Sequence, residues 1–341
     1  MQLIHGTAYY PELWPEKDIF RDIEYFKQCG INAVRLGEFA WSEMEPEEDQ
    51  ISIDFFIKVM DIFFENGINV VFGTPTATPP IWLTHKYPDR CHMNEHGQVA
   101  VHGSRQHICR NHPYVRERCR IIVEALAKAI GRHPALIAWQ TDNEFGCDAR
   151  LNFSESTGTR WIEWLEQRYG NINRLNAAWG TGVWSQSYQS FEQVPQPRYT
   201  PAQHNASLLS AYRTFSNEMQ VEFQKEQLDI IREHSQVPTT HNGGFTFEAD
   251  LYAISRDNDF ASCDYYMNGD QHDEVLLYYD FWRNVKPETP FWVMETDSSF
   301  AGNLIAHSKL HPPGFVRAKA LAAYGYGAEA FCYWTWRQQR A

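Results

Sequence analysis

The feature that most constrains this 341-residue chain is a run of eight short apolar segments separated by stretches of helical pattern. The apolar segments are 3–9, 33–36, 68–72, 136–139, 237–241, 260–266, 291–294 and 330–333. Between the first two, 15–29 opens on a proline, repeats Ile19, Ile23 and Phe26 at helical spacing and stops at Gly30. Between the second and third, 53–66 sets Phe56, Val59, Met60 and Phe63 on one face and stops at Gly67. A strand followed by a helix and another strand pairs its strands in parallel. Further helices are predicted over 113–131, 207–234, 248–255, 273–284 and 313–326. Eight such strands close into a (β/α)8 TIM barrel, an α/β fold that typically takes about 250 residues.

The rhythm breaks in three places. Residues 74–111 form a long Pro-, His- and Arg-rich loop, and loops of that length in compact domains are functional or disordered. Residues 147–206 follow strand four with two helices, 159–169 and 171–178, and a turn-rich aromatic segment around Trp184. This reads as an insertion over the mouth of the site. Only seven connecting helices precede the last residue, Ala341, so an eighth helix is missing or truncated. The expectation is one catalytic barrel over residues 1–341 within a longer, multidomain protein.

Composition narrows the function classes. A formal charge of −13 argues against a nucleic-acid partner, which would want basic patches. Seven scattered cysteines without a CxxC fit free thiols in a reducing, cytoplasmic compartment. Nothing at the N-terminus looks like a secretory leader, and no apolar run approaches a membrane span. Aromatics are 15% of residues, which suits either a large core or the stacking of sugar rings.

The chemistry concentrates at two strand ends. Strand four runs into Trp139-Gln140-Thr141-Asp142-Asn143-Glu144-Phe145-Gly146, and strand seven delivers Glu295. In such barrels the site lies at the strand C-termini, and strands four and seven stand nearly opposite. Two glutamates facing one pocket are what a retaining glycosidase needs, with carboxyl groups about 5–5.5 Å apart. Glu144 would be the protonated acid and Glu295 the ionised nucleophile. The charge on Glu295, with partial desolvation, should raise the pKa of Glu144. Two solvated surface acids are the alternative, but carboxylates directly after buried strands are poorly exposed.

The segment 139–146 resembles the acid/base motif of glycoside hydrolase family 42, the β-galactosidases. So do Tyr9-Tyr10-Pro11-Glu12-Leu13-Trp14-Pro15, residues 34–42, Gly103-Ser104-Arg105-Gln106-His107, and Trp334-Thr335-Trp336-Arg337-Gln338. The resemblance runs from about Gly6 to the end of the chain. It implies a (β/α)8 barrel that cleaves terminal β-D-galactosides or galacto-oligosaccharides with retention and no cofactor. Glu144 matches the acid/base and Glu295 the nucleophile. Asn143 matches the amide that binds the hydroxyl beside the anomeric carbon, Arg105 a sugar-contacting arginine, and Tyr266 the tyrosine touching the nucleophile. Arg35 matches an arginine near the nucleophile, or else makes a fold-stabilising ion pair. Trp184 and Trp336 either wall the sugar site or pack in core and lid.

The chain departs from that family's pattern in three ways. Cys109 and Cys147 match part of a four-cysteine zinc cluster, but no cysteine lies in 148–158, and a structural zinc needs four ligands. His107 or His112 could substitute; buried free thiols, with no metal, are expected. The loop 300–310 lacks a tryptophan, leaving His307 as a sugar contact or an incidental loop residue. In the family a glutamate and a histidine that bind galactose follow the segment matched by 334–338, and domains that support homotrimers come after them; no counterpart occurs up to Ala341. The same chemistry on α-L-arabinopyranosides or β-D-fucosides, a non-catalytic sugar-binding barrel and a metal-dependent hydrolase are the competing readings.

Overall fold

The computed structural model describes residues 3–266, 272–298 and 311–337. His307 lies outside them. The chain runs β1 (Ile4–Ala8), α1 (Asp18–Cys29), β2 (Ala33–Leu36), α2 (Trp41–Met44), α3 (Asp54–Glu65), β3 (Asn69–Gly73), α4 (Ile81–Thr84), α5 (Pro113–Ile130) and β4 (Leu136–Gln140). It continues through α6 (Glu155–Tyr169), α7 (Ile172–Trp179), α8 (Ala206–His234), β5 (Thr239–Thr240), β6 (Asn242–Gly243), α9 (Leu251–Arg256) and β7 (Ser262–Asp264). Last come α10 (His272–Val285), β8 (Trp292–Glu295), α11 (Phe315–Gly325) and β9 (Ala330–Tyr333).

All strand pairings are parallel, in the order β5-β4-β3-β2-β1-β9-β8-β7-β6. β5 and β6 are two halves of one stave. β5 pairs with β4, β6 pairs with β7, and His241 sits between them. The nine strands therefore make eight staves of a TIM barrel. The sequence predicts an unbroken strand over 237–241; instead the ladder is interrupted at His241, whose ring is engaged by the loop after β4.

The helices form where the apolar spacing predicts them. α1 buries Ile19, Asp22, Ile23 and Phe26 and ends on Gly30 at φ 71°, a left-handed turn that only glycine adopts freely. α3 buries Phe56, Val59, Met60 and Phe63. α6 begins at Glu155, four residues before the expected 159, because the Ser154 side chain accepts the Thr157 N–H and caps it. The long loop 74–111 is ordered: it holds α4 and folds back on itself through the antiparallel bridges Cys91–Ile108 and Met93–Val99.

Apolar burial occurs in three layers. One lies between staves and outer helices and includes Phe26, Phe56, Phe63, Phe72 and Trp139. A second fills the barrel interior with Val71, Ala138, Phe260, Trp292, Met294 and Ala330. That plug closes the barrel, so polar chemistry is confined to the strand C-termini. The insertion has its own core of Trp161, Trp164, Leu165, Trp179, Tyr212 and Phe215. Trp161 stacks on Trp164 at 5.4 Å and is 1% exposed. Each large side chain buried this way contributes roughly 1.5–3 kcal/mol. Part of the aromatic content thus serves the insertion's packing. α8, capped by Asn205, carries Tyr212 and Phe215 into this core and Phe223 and Ile231 into the outer layer of the barrel.

Candidate active site

The loop after β4 is held in a strained shape. Asp142 and Glu144 have φ of 52° and 49°, a region non-glycine residues rarely adopt. Its polar neighbours impose this shape. Asp142 Oδ2 accepts Thr76 Oγ1 at 2.6 Å, and Oδ1 accepts the Asn143 N–H at 2.7 Å and Arg110 Nη2 at 3.2 Å. Gln106 Nε2 donates to the carbonyls of Asn143 and Glu144 at 2.8 and 2.9 Å. Gly146, at φ 76°, closes the turn; an added Cβ would lie 2.5 Å from the Glu248 carbonyl oxygen.

His241 locks the far side. Its Nε2 accepts the Phe145 N–H at 3.1 Å, so its proton sits on Nδ1, which donates to the Thr141 carbonyl at 2.7 Å. The ring stacks on Phe145 at 4.2 Å. Burial pushes its pKa down to about 4, so it is neutral at physiological pH.

Glu295 ends β8, and Asp264 ends the adjacent β7 in register with it. Arg35 points inward from β2 and donates from Nη2 to Glu295 Oε1 at 2.5 Å. Its Nε lies 3.0 Å from Glu38 Oε1, and its Nη1 donates to Gln140 at 3.2 Å. Arg35 and Glu38 are fully buried. Burial alone would lower the Arg35 pKa, but Glu38 and Glu295 raise it overall, so the guanidinium is charged. Tyr266 donates its hydroxyl to Glu295 Oε2. The two donors compensate the negative charge of Glu295.

The decisive distance lies across the barrel. Glu144, Asp264 and Glu295 each offer an oxygen within 4.8 Å of the other two. Burial, and then the charge of Glu295, raise the Glu144 pKa, while Arg105 opposes the shift. Arg105 Nη1 donates to Glu144 Oε2 at 2.6 Å and its Nε to Asp148 at 2.7 Å. Asn143 Nδ2 donates to the same Glu144 oxygen at 3.2 Å. Asn242 joins the halves: its Nδ2 lies 2.9 Å from Asn143 Oδ1 and 2.5 Å from Asp264 Oδ2, and its Oδ1 accepts the Glu144 N–H at 3.3 Å.

Glu144, Glu295, Asn143, Arg105, Tyr266 and Arg35, all expected from the sequence, therefore meet in one cluster. The two tryptophans do not join it. Trp184 stands on a turn of the insertion, 88% exposed. Trp336 packs on Phe26 at 4.7 Å in the outer layer, because the chain turns under β1, where the Trp336 N–H donates to the Ala8 carbonyl at 3.0 Å. Trp334 faces the site instead: its Nε1 donates to Tyr10 at 2.8 Å, and its ring meets that of Tyr266 edge-on at 6.4 Å.

Asp264, Asn242 and Trp334 were not singled out from the sequence. Asp264 could have been, because it ends a stave as Glu144 and Glu295 do.

The four-cysteine zinc pattern does not fit this chain. Cys109 Sγ lies 3.0 Å from Ser154 Oγ and 3.6 Å from Thr157 Oγ1, whereas Cys147 Sγ lies 3.9 Å from Arg105 Nη2. His112 is spent capping α5 through the Tyr114 N–H. The His107 ring meets His102 edge-on at 4.7 Å.

The glycoside hydrolase 42 family model, described as beta-galactosidase, matches residues 8–341. The chain is 50% identical over 340 residues to "Beta-galactosidase YesZ" of Bacillus licheniformis, covering 100% of this chain and 51% of that protein. It is 36% identical over 354 residues to a beta-galactosidase of Thermus thermophilus, covering 98% of this chain and 55% of the other. The chain thus spans about half the length of the curated relatives it matches. Among solved structures, the beta-galactosidase of Halorubrum lacusprofundi superposes with a TM-score of 0.94 at 34% identity, over 99% of this chain and 53% of that one.

Proposed function

Because the chain belongs to glycoside hydrolase family 42, we propose that it cleaves terminal β-D-galactosides with retention of anomeric configuration. Glu144 serves as acid/base and Glu295 as nucleophile. The observation that carries this reading is the approach of their carboxyl oxygens to within 4.8 Å. That spacing suits direct attack on the anomeric carbon and leaves no room for a water between carboxylate and sugar, as inversion would require.

In the first step Glu295 forms a bond to the anomeric carbon. The bond to the leaving oxygen breaks, and that oxygen takes the proton of Glu144. The Glu295 charge is consumed in the ester, so one of the two causes raising the Glu144 pKa disappears. Glu144 then draws a proton from water, water attacks the anomeric carbon, and Glu295 leaves as carboxylate. Arg35 and Tyr266 hold the nucleophile's two oxygens apart and aimed. Asn143 and Arg105 flank Glu144, where they can exchange that contact for the substrate's ring hydroxyls. Seven free cysteines suit a reducing compartment such as the cytoplasm. Among the described residues, no helix is long and apolar enough to cross a membrane.

The test is Glu295→Ala in the complete protein with an aryl β-D-galactoside. Turnover is lost, and azide restores consumption of substrate with an α-galactosyl azide as product. Undiminished hydrolysis in that variant removes the assignment, and hydrolysis of other glycosides but not galactosides moves the substrate class.

A further inference from the structure

Asp264 is the one carboxyl of the cluster with no part in the two displacements, and its surroundings define a task for it. It is 5% exposed at the floor of the site, beside Glu295 and facing Glu144. One of its oxygens, Oδ2, accepts Asn242 Nδ2 at 2.5 Å. The other, Oδ1, is buried and receives no donor among the described residues. The titratable groups around it are Glu144, Glu295, Arg35, Tyr266, Tyr278 and the thiols Cys147, Cys263 and Cys332. Arg35 is the cation among them, and its donors go to Glu38, Gln140 and Glu295.

An ionised Asp264 would set a second negative charge within 4.8 Å of Glu295 in the free enzyme and of Glu144 in the second half-reaction, with a single donor for its two oxygens. A protonated Asp264 removes that conflict and turns the unserved oxygen into a donor. Its carboxyl and that of Glu144 offer oxygens within 4.8 Å of each other. Burial, then the charges of Glu295 and Glu144, push the Asp264 pKa well above the carboxylate range.

We propose that Asp264 is a positioning residue that keeps its proton through turnover and presents it to Glu144, holding Glu144 as a carboxylate when it must draw a proton from water. The Asp264 proton is not transferred at any step. Glu144 loses its own proton to the leaving oxygen and regains one from water. The inference rests on the reading of Glu144 as acid/base, and it identifies the group that favours the basic form of Glu144 in the second half-reaction.

Two measurements on the complete protein test it. The first is infrared spectroscopy of Glu144→Gln at neutral pH, which needs no turnover. A protonated carboxyl C=O band is expected in the difference spectrum between Glu144→Gln and the Glu144→Gln/Asp264→Asn double variant, in which the half-buried Glu12, whose pKa desolvation raises, cancels; absence of that difference band overturns the proposal. The second uses a dinitrophenyl galactoside, whose departure needs no acid, so that the water step limits. Asp264→Leu is expected to lower its kcat at least tenfold and, with an aryl galactoside whose departure needs the acid, to move the alkaline limb of kcat/KM up by about one unit. Asp264→Asn, which keeps an N–H donor in the same place, should recover most of the lost kcat and leave that limb nearer its original position. Equal losses in both variants, or a downward shift of the limb in Asp264→Asn, overturn the proposal. If Asp264→Leu does not fold, the infrared comparison decides. If the wild type hydrolyses no galactoside, the functional reading fails, while the infrared band still tests Asp264.

Discussion

Arg35 reaches Glu295 at 2.5 Å from a position with no solvent exposure, bridging the nucleophile to Glu38 and Gln140. The pair bears on stability as well as catalysis, because breaking a buried pair leaves the partner charge uncompensated, typically at about 3–5 kcal/mol. Arg35→Met is expected to lower unfolding free energy by that order and to abolish turnover. Arg35→Lys should not restore turnover, since one ammonium cannot serve three acceptors in a planar fork. Urea unfolding and steady-state kinetics check both.

Tyr266 touches the other oxygen of Glu295. Removing one hydrogen bond to a charged group costs about 1.5–3 kcal/mol, or roughly ten- to a hundredfold in rate where the bond is catalytic. Tyr266→Phe is expected to lower kcat/KM in that range with little change in melting temperature. An unchanged kcat/KM would count against a role in aiming the nucleophile.

The pH profile follows from Glu144. The acid must be protonated, so activity falls as pH rises through its pKa, which burial and Glu295 set above the ordinary carboxylate range. Arg105 favours the ionised form, so Arg105→Met should move the alkaline limb of kcat/KM upward. Glu144→Gln should lose that limb and slow poor leaving groups far more than activated ones. Profiles with two aryl galactosides of different leaving-group acidity measure both effects.

His241 makes stability depend on acid. Its folded pKa of about 4 lies below the ordinary imidazole value of 6.5, so the unfolded chain binds the proton first. Its contribution is fully present above pH 6.5 and is lost as pH falls toward 4. The loss is of order 3 kcal/mol, at about 1.4 kcal/mol per unit. His241→Gln should be less stable at pH 7 but show a shallower decline between pH 6.5 and 4, read from urea unfolding at several pH values.

The barrel was legible because its period is physical: apolar runs of strand length alternate with helical faces, and only parallel closure buries both. Glu144 and Glu295 were legible for the same reason, as acids at the ends of buried strands. The break at His241 was not. Residues 237–241 read as one strand, and the groups that take the His241 ring out of the ladder, the Thr141 carbonyl and the Phe145 N–H, are distant in sequence. The left-handed backbone at Asp142 and Glu144 is likewise invisible, because Thr76, Arg110 and Gln106, distant in sequence, impose it. Whether Trp336 walls the site or packs in the core stays open in the sequence, because a motif names neighbours without saying which of them turns inward; the structure packs Trp336 on Phe26. The 15% aromatic content could not choose between sugar stacking and packing, and the Trp161–Trp164–Trp179 cluster of the insertion accounts for part of it.

α8 is a single uninterrupted helix of 29 residues, about 43 Å at 1.5 Å per residue. It acts as a strut rooted at one end in the barrel's outer layer and at the other in the insertion's aromatic core. Swinging the insertion as a hinged cap would mean bending that strut or tearing one of its anchorages. The wall that this helix braces therefore behaves as fixed masonry, not as a door.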